Sequence, residues 1–354
     1  ACYESPVAIL QYNYRLDAGE TQRERFIFGP AKDLEEIAAI KSRYFGEPEN
    51  FERQQDAYSA YINLGQGCLH IESEDPLFDQ YVNQWLPRQV YYHGAANRLS
   101  TDPQTRNYLQ DNMGMTYIDP ASTRQAFLKA LAQQNTNGAM PDGILLHPDA
   151  SLKYINQVPH TDHCVWLPLC LNTYLSETND FALLDELVGY SDSEISETVF
   201  QHMERAMDWL LVARDHRGLS FIEQGDWCDP MNMVGYQGKG VSAWLSLATA
   251  YALKEWAIIS KNHGHHERIK ELLNYADIIN GAVNEYCWDG DWYGRGISDH
   301  NKLFGISSDK EGRIYLNPQS WAILSGAISV EDTPALLTQI DTQLLTPYGA
   351  MMLA

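Results

Sequence analysis

Apolar and polar residues alternate over positions 10–16, and this period of two predicts a β-strand. Positions 17–20 supply a turn, and a second strand is predicted at 25–28. Two paired strands are not stable by themselves in water. We therefore interpret residues 1–30 as the end of a β domain.

The pattern changes after Pro30 to the spacing of a helix. Leu34, Ile37 and Ala38 fall on one face, which predicts a linker helix within residues 31–51. The chain thus passes from a β segment to a helical segment near residue 30.

From residue 52 onward, helical patterns follow one another, joined by connections rich in glycine and tryptophan. Asp75 and Asp119 each precede a proline, a combination that favours the start of a helix. The predicted helices cover residues 52–63, 76–96, 120–135, 163–178, 194–214, 239–261, 266–286, 318–328 and 333–344.

Two kinds of helix alternate in this region. The segment 194–214 has one apolar stripe opposite its charges, whereas 239–261 is apolar on nearly every side. An inner ring of helices covered by an outer ring produces this alternation, so the sequence predicts a mainly α protein with an (α/α)6 toroid over residues 52–354. The stripe of 194–214 comprises Ile195, Val199, Met203, Ala206, Leu210 and Ala213.

The ends of the chain differ from those of a finished domain. Residue 1 is Ala rather than Met, no signal-peptide pattern follows it, and the last residues lie in an apolar stretch. Six helical hairpins need about twelve helices, more than the patterns predict. We therefore expect a piece of a longer polypeptide, with the barrel truncated at the C-terminus.

Composition narrows the class of protein. The 354 residues carry 25 Lys and Arg against 47 Asp and Glu, a net charge of −22, and 44% are hydrophobic. The hydrophobic share supports a packed core, while the excess of acid disfavours a nucleic-acid partner. No apolar run approaches the roughly 20 residues of a membrane span. We therefore expect no nucleic-acid partner and no membrane partner. Six scattered cysteines are typical of a protein from a reducing compartment, so we also expect a cytoplasmic location.

One glycine-bounded loop concentrates chemistry. Within residues 224–232, Asp226 and Asp229 flank Trp227. A carboxyl beside an aromatic wall loses hydration, which raises its pKa and lets it act as a general acid near neutral pH. The indole could stack on a sugar ring. On these residues alone, a catalytic carboxyl and a structural loop in which Asp226 caps the turn are equally supported.

A second polar segment covers residues 97–111. Arg98 and Arg106 suit bidentate binding of an anion, and Asn107, Gln110 and Asp111 could bind hydroxyl groups. Helix capping and surface ion pairs explain the same residues without any ligand. The residues alone favour that simpler explanation.

Other patterns with metal-ligand residue types have less support. His160-Thr-Asp-His163 has suitable ligands, but no second cluster completes a site in the sequence. The histidines of 263–266 are typical of a solvated turn, and 289–291 begins like a calcium loop whose twelfth position does not fit. No metal is therefore predicted.

Several motifs, taken together, resemble those of a known family. Gly225-Asp-Trp-Cys-Asp229 is similar to the Gly-Asp-Trp-Asn-Asp signature of the inverting cellobiose and chitobiose phosphorylases, glycoside hydrolase family 94. The resemblance covers about residues 20–354. The further matching stretches, in order, are Thr105-Arg-Asn-Tyr-Leu-Gln-Asp111, Asp162-His-Cys-Val-Trp-Leu-Pro168, Gly312-Arg-Ile-Tyr-Leu-Asn-Pro-Gln-Ser-Trp-Ala322 and Thr346-Pro-Tyr-Gly349.

This resemblance implies a reaction as well as a β-sandwich, a linker helix and an (α/α)6 barrel. Family members cleave a β-glucoside with inversion, giving α-glucose 1-phosphate. Asp229 would be the general acid, and inorganic phosphate, a co-substrate rather than a cofactor, would attack the anomeric carbon. One catalytic carboxyl then suffices, whereas an inverting hydrolase needs a second to activate water. The resemblance also implies, weakly, a homodimer.

The resemblance further implies which residues line the site, with some departures. Arg106, Asn107 and Trp227 would line the donor sugar subsite, with Asp226 and Gln110 also assigned to substrate binding. The family has an Arg-Asp pair where this chain has Arg106-Asn107, and an arginine where this chain has Thr101. Phosphate binding is therefore assigned to Arg98 and Arg106.

These departures resemble the branch of the family that acts on cellobionic acid, 4-O-β-D-glucosyl-D-gluconate. Cellobiose, chitobiose or another β-glucan remain alternative substrates within the family. Two alternatives belong to other classes: an inverting (α/α)6 glycosidase that uses water, and a non-catalytic carbohydrate-binding toroid.

Overall fold

The computed structural model describes residues 9–29, 31–65, 70–153 and 160–354. The chain divides into two compact units, Ala1–Gln54 and Gln55–Ala354. Residues 9–29 carry a turn, in which the amide of Glu20 donates to the carbonyl of Asp17, but no strand. The strands predicted at 10–16 and 25–28 are therefore wrong for this described segment, because a strand needs a neighbouring strand to pair with.

Helix α1 (Leu34–Phe45) lies within the predicted linker region. The Asp33 side chain accepts a hydrogen bond from the amide of Glu36 and caps its first turn. The helix predicted there is confirmed, while its assignment as a linker, like that of the preceding segment to a β-sandwich, stays a prediction.

The other predicted helices also form, most of them with shifted ends, while the helix predicted at 333–344 forms with the same ends. Asp75 and Asp119 cap the helices that begin at Pro76 and Pro120, as predicted. A π-helical turn, Tyr81–Trp85, joins the helix that begins at Pro76 to the one that begins at Leu86. The helices are α2 (Asn50–Gly65), α3 (Pro76–Gln80), α4 (Leu86–Gly94), α5 (Thr105–Met115), α6 (Pro120–Leu131), α7 (Trp166–Thr178), α8 (Val199–Val212), α9 (Ala243–His263), α10 (Ile269–Cys287), α11 (Leu316–Ser325) and α12 (Thr333–Leu344).

Two local predictions need correction. Residues 105–111, treated as part of a polar loop, belong to α5, whose buried face includes Thr105, Arg106 and Asn112. Polar groups interrupt the apolar residues of this buried face, so the helical pattern is hidden in the sequence. Ile195, predicted on the buried stripe of a helix, is exposed on a strand that precedes α8.

The helices form two layers. Helix α5 packs on α7, α7 packs on α9, and α9 packs on α11, so these four odd-numbered helices form a continuous row. Between them, α6 packs on α5 and α7, and α10 packs on α9 and α11. Helix α9 is buried on nearly every side, whereas α8 buries one stripe. This confirms the predicted alternation of inner and outer helices.

Short antiparallel strands connect the helices. One small sheet lies at the start of α9 and consists, in spatial order, of Val241–Ser242, Gly296–Ile297 and Leu303–Phe304. Arg295 directly precedes the middle strand and donates to Ser242 Oγ. The strands are β1 (Leu187–Tyr190), β2 (Ser193–Thr198), β3 (Val241–Ser242), β4 (Gly296–Ile297), β5 (Leu303–Phe304), β6 (Leu345–Thr346) and β7 (Gly349–Ala350).

Within the described ranges, no helix combines the length and the apolar character that crossing a lipid bilayer requires.

Candidate active site

Arg106 of α5 and Asp229 of the glycine-bounded loop meet although 123 positions separate them. One guanidinium nitrogen of Arg106, Nη2, donates to Asp229 Oδ1. The other, Nη1, donates to Asp162 Oδ1 at 3.0 Å and to the carbonyl oxygen of Asp226 at 2.8 Å. The inner face of α5 thus brings together three of the sequence motifs around a single guanidinium.

The environment of Arg106 keeps this guanidinium charged and fixed. Burial alone would lower the pKa of Arg106, but the carboxylates of Asp162 and Asp229 raise it. Asp162 is itself held, because its Oδ2 accepts a hydrogen bond from the indole of Trp166 at 3.0 Å. Asn107 lies half-buried on α5 and donates to Gln104 Oε1 at 3.2 Å, which Arg106 also contacts. Arg106 is therefore a rigid cation beside Asp229.

Asp226 has a different position from Asp229. Its two carboxylate oxygens accept hydrogen bonds from Arg295 Nη2 at 2.5 and 2.7 Å, from Ser242 Oγ at 2.6 Å and from the amide of Cys228 at 2.9 Å. The side chains of Asp226 and Arg295 are both fully buried. These contacts favour the structural alternative for Asp226 over the prediction that it binds substrate, because protein donors occupy both oxygens. Arg295 was missed, since no motif surrounds it in the sequence.

Asp229 is the accessible carboxyl of the pair, with its side chain 46% exposed. His160 Nε2 lies 3.3 Å from Asp229 Oδ1. His160 lowers the pKa of Asp229 below its ordinary value, burial opposes this, and Arg106 lowers it further. The raised pKa expected from the neighbouring indole is therefore wrong for this arrangement, because two cations outweigh the loss of hydration.

The histidines discounted for want of a third ligand have one in the fold. Potential ligand atoms of Asp142, His160 and His163 all lie within 4.8 Å of one another. Asp142 Oδ1 accepts from His163 Nε2 at 2.7 Å and from the amide of His160 at 3.0 Å. These three residues are the group in the described chain that could hold a metal ion. In the present arrangement, however, Asp142 and His163 share a hydrogen bond, and His160 Nε2 lies next to Asp229.

Trp227 forms an aromatic wall next to Asp229. Its side chain is 37% exposed, and its ring centroid lies 5.6 Å from that of Trp166 and 5.5 Å from that of Trp244. Both of those rings contact Trp321 edge to face. Three buried indoles thus support an exposed one, and such a face suits the apolar side of a sugar ring.

Arg98 and Gln110, the other predicted ligands, do not share these contacts. Arg98 Nη2 donates to Asp111 Oδ1 at 2.6 Å, which is the surface ion pair considered as the alternative explanation. Arg98 lies in a left-handed run, Asn97 to Leu99, that costs conformational energy. Gln110 is half-buried on α5, one turn after Arg106. The assignments of Arg98 to phosphate and of Gln110 to substrate stay predictions.

Comparison with known proteins agrees with this geometry. Residues 66–354 match the family model described as glycosyl hydrolase 94 superfamily, catalytic domain. Over 352 residues the chain is 59% identical to a cellobionic acid phosphorylase of Neurospora crassa, covering 99% of this chain and 44% of that protein. It is 33% identical over 352 residues to a 3-O-beta-D-glucopyranosyl-beta-D-glucuronide phosphorylase of Paenibacillus borealis, with shares of 99% and 45%. The chain therefore spans less than half the length of these curated relatives.

Among solved structures, a cellobiose 2-epimerase from Bacillus thermoamylovorans is similar, with a TM-score of 0.54 and 7% sequence identity. The similarity covers 84% of this chain and 79% of the epimerase chain. At that identity the likeness concerns the fold alone. Together with the two layers of helices, it shows the mainly α, (α/α)6 toroid that the sequence predicts.

Proposed function

This chain belongs to the glycosyl hydrolase 94 superfamily, and from that premise we propose that it carries the catalytic centre for inverting phosphorolysis of a β-glucosidic disaccharide. Asp229 gives its proton to the glycosidic oxygen as the bond between that oxygen and the anomeric carbon breaks. A phosphate oxygen forms the new bond to this carbon from the opposite face. The products are α-D-glucose 1-phosphate and the released acceptor sugar.

The observation that carries this proposal is the setting of Asp229, an exposed carboxyl whose charged neighbours are the cations of Arg106 and His160. An inverting hydrolase pairs its acid with a carboxylate about 6.5–9.5 Å away that activates water. Positive charge next to the acid favours instead the approach of an anionic co-substrate such as phosphate. The phosphorylases among the relatives support the same reading.

For the substrate we propose cellobionic acid, 4-O-β-D-glucosyl-D-gluconate. The support is the 59% identity to a cellobionic acid phosphorylase, together with the resemblance of the segment around Arg106-Asn107 to that branch. The relative from Paenibacillus borealis is likewise named for a glucoside of a sugar acid. Cellobiose and chitobiose are the alternatives within the family.

The test is a reaction of the full-length protein with cellobionic acid, with and without inorganic phosphate. We expect turnover only with phosphate, giving gluconate and the α-anomer of glucose 1-phosphate, as followed by proton NMR. In the reverse direction, gluconate should be a better acceptor than glucose. Turnover without phosphate would support the water-using glycosidase, preference for glucose would contradict the choice of substrate, and binding without turnover would support the carbohydrate-binding toroid.

We also propose the setting in which this reaction takes place. Phosphate is the only small molecule required besides the disaccharide, and no organic cofactor or metal takes part. The four cysteines of the described residues are free thiols, which is typical of a reducing compartment and supports a cytoplasmic location. A homodimer is proposed on the family resemblance alone.

Replacing Trp227 with Ala is expected to weaken disaccharide binding. The change removes an exposed indole face worth about 1–2 kcal/mol to a stacked sugar ring, which corresponds to a roughly tenfold rise in KM. Trp288→Ala is a matched control, because Trp288 is 38% exposed and packs on Tyr293 rather than near Asp229. Initial rates over a range of disaccharide concentrations measure the effect. An equal rise in both variants would contradict a sugar contact at Trp227.

A further inference from the structure

We infer that His160 is a positioning residue whose ring, held between Asp142 and Gly225, orients the Asp229 carboxylate for proton transfer. This role rests on the function proposed for Asp229. The sequence pattern around His160 suggested only an incomplete metal site, and the family signature includes Asp229 but not His160. The arrangement of His160 follows from three independent contacts.

The backbone on either side of the imidazole is fixed to two loops. The amide of His160 donates to Asp142 Oδ1 at 3.0 Å, and the amide of Thr161 donates to the carbonyl of Gly225 at 3.1 Å. The imidazole is almost fully buried, with its Nε2 3.3 Å from Asp229 Oδ1 and its Nδ1 3.8 Å from Asp142 Oδ1. Because the backbone is fixed on either side and the ring is buried, it has little freedom to turn away from the Asp229 carboxylate.

Gly225 leaves the space that this ring occupies. A Cβ at position 225 would lie 2.7 Å from Cδ2 of His160, closer than a Cβ approaches other atoms, and 3.0 Å from Nε2 of the same ring. Any other residue there would push the imidazole away from Asp229. Glycine at position 225 of the signature loop is therefore explained by the space that the His160 ring needs.

Charge completes the arrangement. Burial alone would lower the pKa of His160, but the carboxylates of Asp142 and Asp229 outweigh it and raise the pKa to about 9. His160 is therefore an imidazolium at neutral pH and pairs with a carboxylate at Asp229. The other charged or titratable groups around this pair are Arg106, Asp162, His163, Glu223, Asp226, Cys228 and Arg295.

An ionised Asp229 suits the synthetic direction of the proposed reaction. There the acceptor hydroxyl gives its proton to Asp229 while its oxygen bonds to the anomeric carbon, and the bond from that carbon to phosphate breaks. Phosphorolysis needs Asp229 protonated instead. The rate of synthesis falls on the acid side, where Asp229 becomes protonated, and the rate of phosphorolysis falls on the basic side, where Asp229 loses its proton. Because His160 lowers the pKa of Asp229, it moves both of these limbs to lower pH.

His160→Gln tests this role in the full-length protein. A Gln side chain can still donate an N–H toward Asp229 but carries no charge. We expect both limbs, measured as kcat/KM against pH in the two directions, to move to higher pH. Synthesis at neutral pH should also fall about tenfold, because a neutral donor holds the Asp229 carboxylate less tightly than a charged one. Gly225→Ala should move the limbs in the same direction by displacing the ring. Simple damage to the structure would lower rates without moving both limbs.

His163→Gln is the matched control, because His163 contacts Asp142 but not Asp229. Its limbs should stay in place. If His160→Gln folds normally and both limbs also stay in place, His160 does not act on Asp229.

A second measurement needs no activity and separates this role from the proposed function. In protein labelled with 13C in its histidine rings, the resonance of His160 is the one missing from His160→Gln. It should remain that of an imidazolium up to about pH 9 and titrate at lower pH in Asp142→Asn. Titration of His160 near its ordinary value of about 6.5 would overturn the inference whether or not the protein is a phosphorylase.

Discussion

Asp229→Asn is expected to reduce phosphorolysis by about 10²–10⁴-fold, the usual contribution of a positioned general acid. The amide has nearly the shape of the carboxyl but cannot give a proton to the leaving oxygen. Since the side chain is 46% exposed, the fold should be retained. The measurement is kcat for cellobionic acid in the presence of phosphate, with circular dichroism to confirm folding.

The dependence of this loss on the leaving group identifies the role of Asp229. A β-glucoside with an acidic phenol as leaving group needs little protonation, so Asp229→Asn should retain far more activity on it than on the disaccharide. Asp291→Asn is a matched control, because Asp291 is also exposed and also lies within two positions of a tryptophan, here Trp292. Retention of disaccharide activity within about twofold in Asp229→Asn would assign the acid to another residue.

Arg295→Met is expected to cause the largest loss of stability, about 3–5 kcal/mol in the free energy of unfolding. The substitution leaves Asp226 fully buried without its bidentate partner. An unpaired buried carboxylate is costly because no water replaces the lost contacts. The loop that ends in Asp229 should lose its fixed geometry at the same time. Chemical denaturation and the thermal midpoint of the full-length protein measure the effect.

The matched control for this prediction is Arg205→Met. Arg205 also makes a two-pronged contact with a carboxylate, Glu197, at 2.6 Å from each nitrogen, but that pair is partly exposed. Exposed pairs contribute about 0–1 kcal/mol, so the loss should be much smaller. Replacing both members of the buried pair, Asp226→Leu with Arg295→Met, should recover part of the stability. Equal losses in Arg295→Met and Arg205→Met would show that burial does not determine the cost.

The helical architecture could be predicted from the sequence because apolar periodicity is a local signal. Helix α9 is apolar on nearly every side and α8 on one stripe, and their places in the two layers followed from that difference. Helix α5 was not predicted, because its sequence lacks a regular apolar pattern. Its buried face mixes Arg106 and Asn112 with Tyr108 and Leu109, which belong to the apolar core, so the apolar pattern is interrupted.

The layered helical fold, the family and the loop that holds Asp229 could all be predicted from the sequence alone. These depend on the spacing of residues close together in the chain and on the order of short motifs. The different surroundings of the two carboxyls depend on tertiary contacts, because Arg295 and Arg106 reach them from 69 and 123 positions away. It also reversed the expected direction of the Asp229 pKa. The indole beside Asp229 is visible in the sequence, but the two cations that outweigh it are brought there by folding.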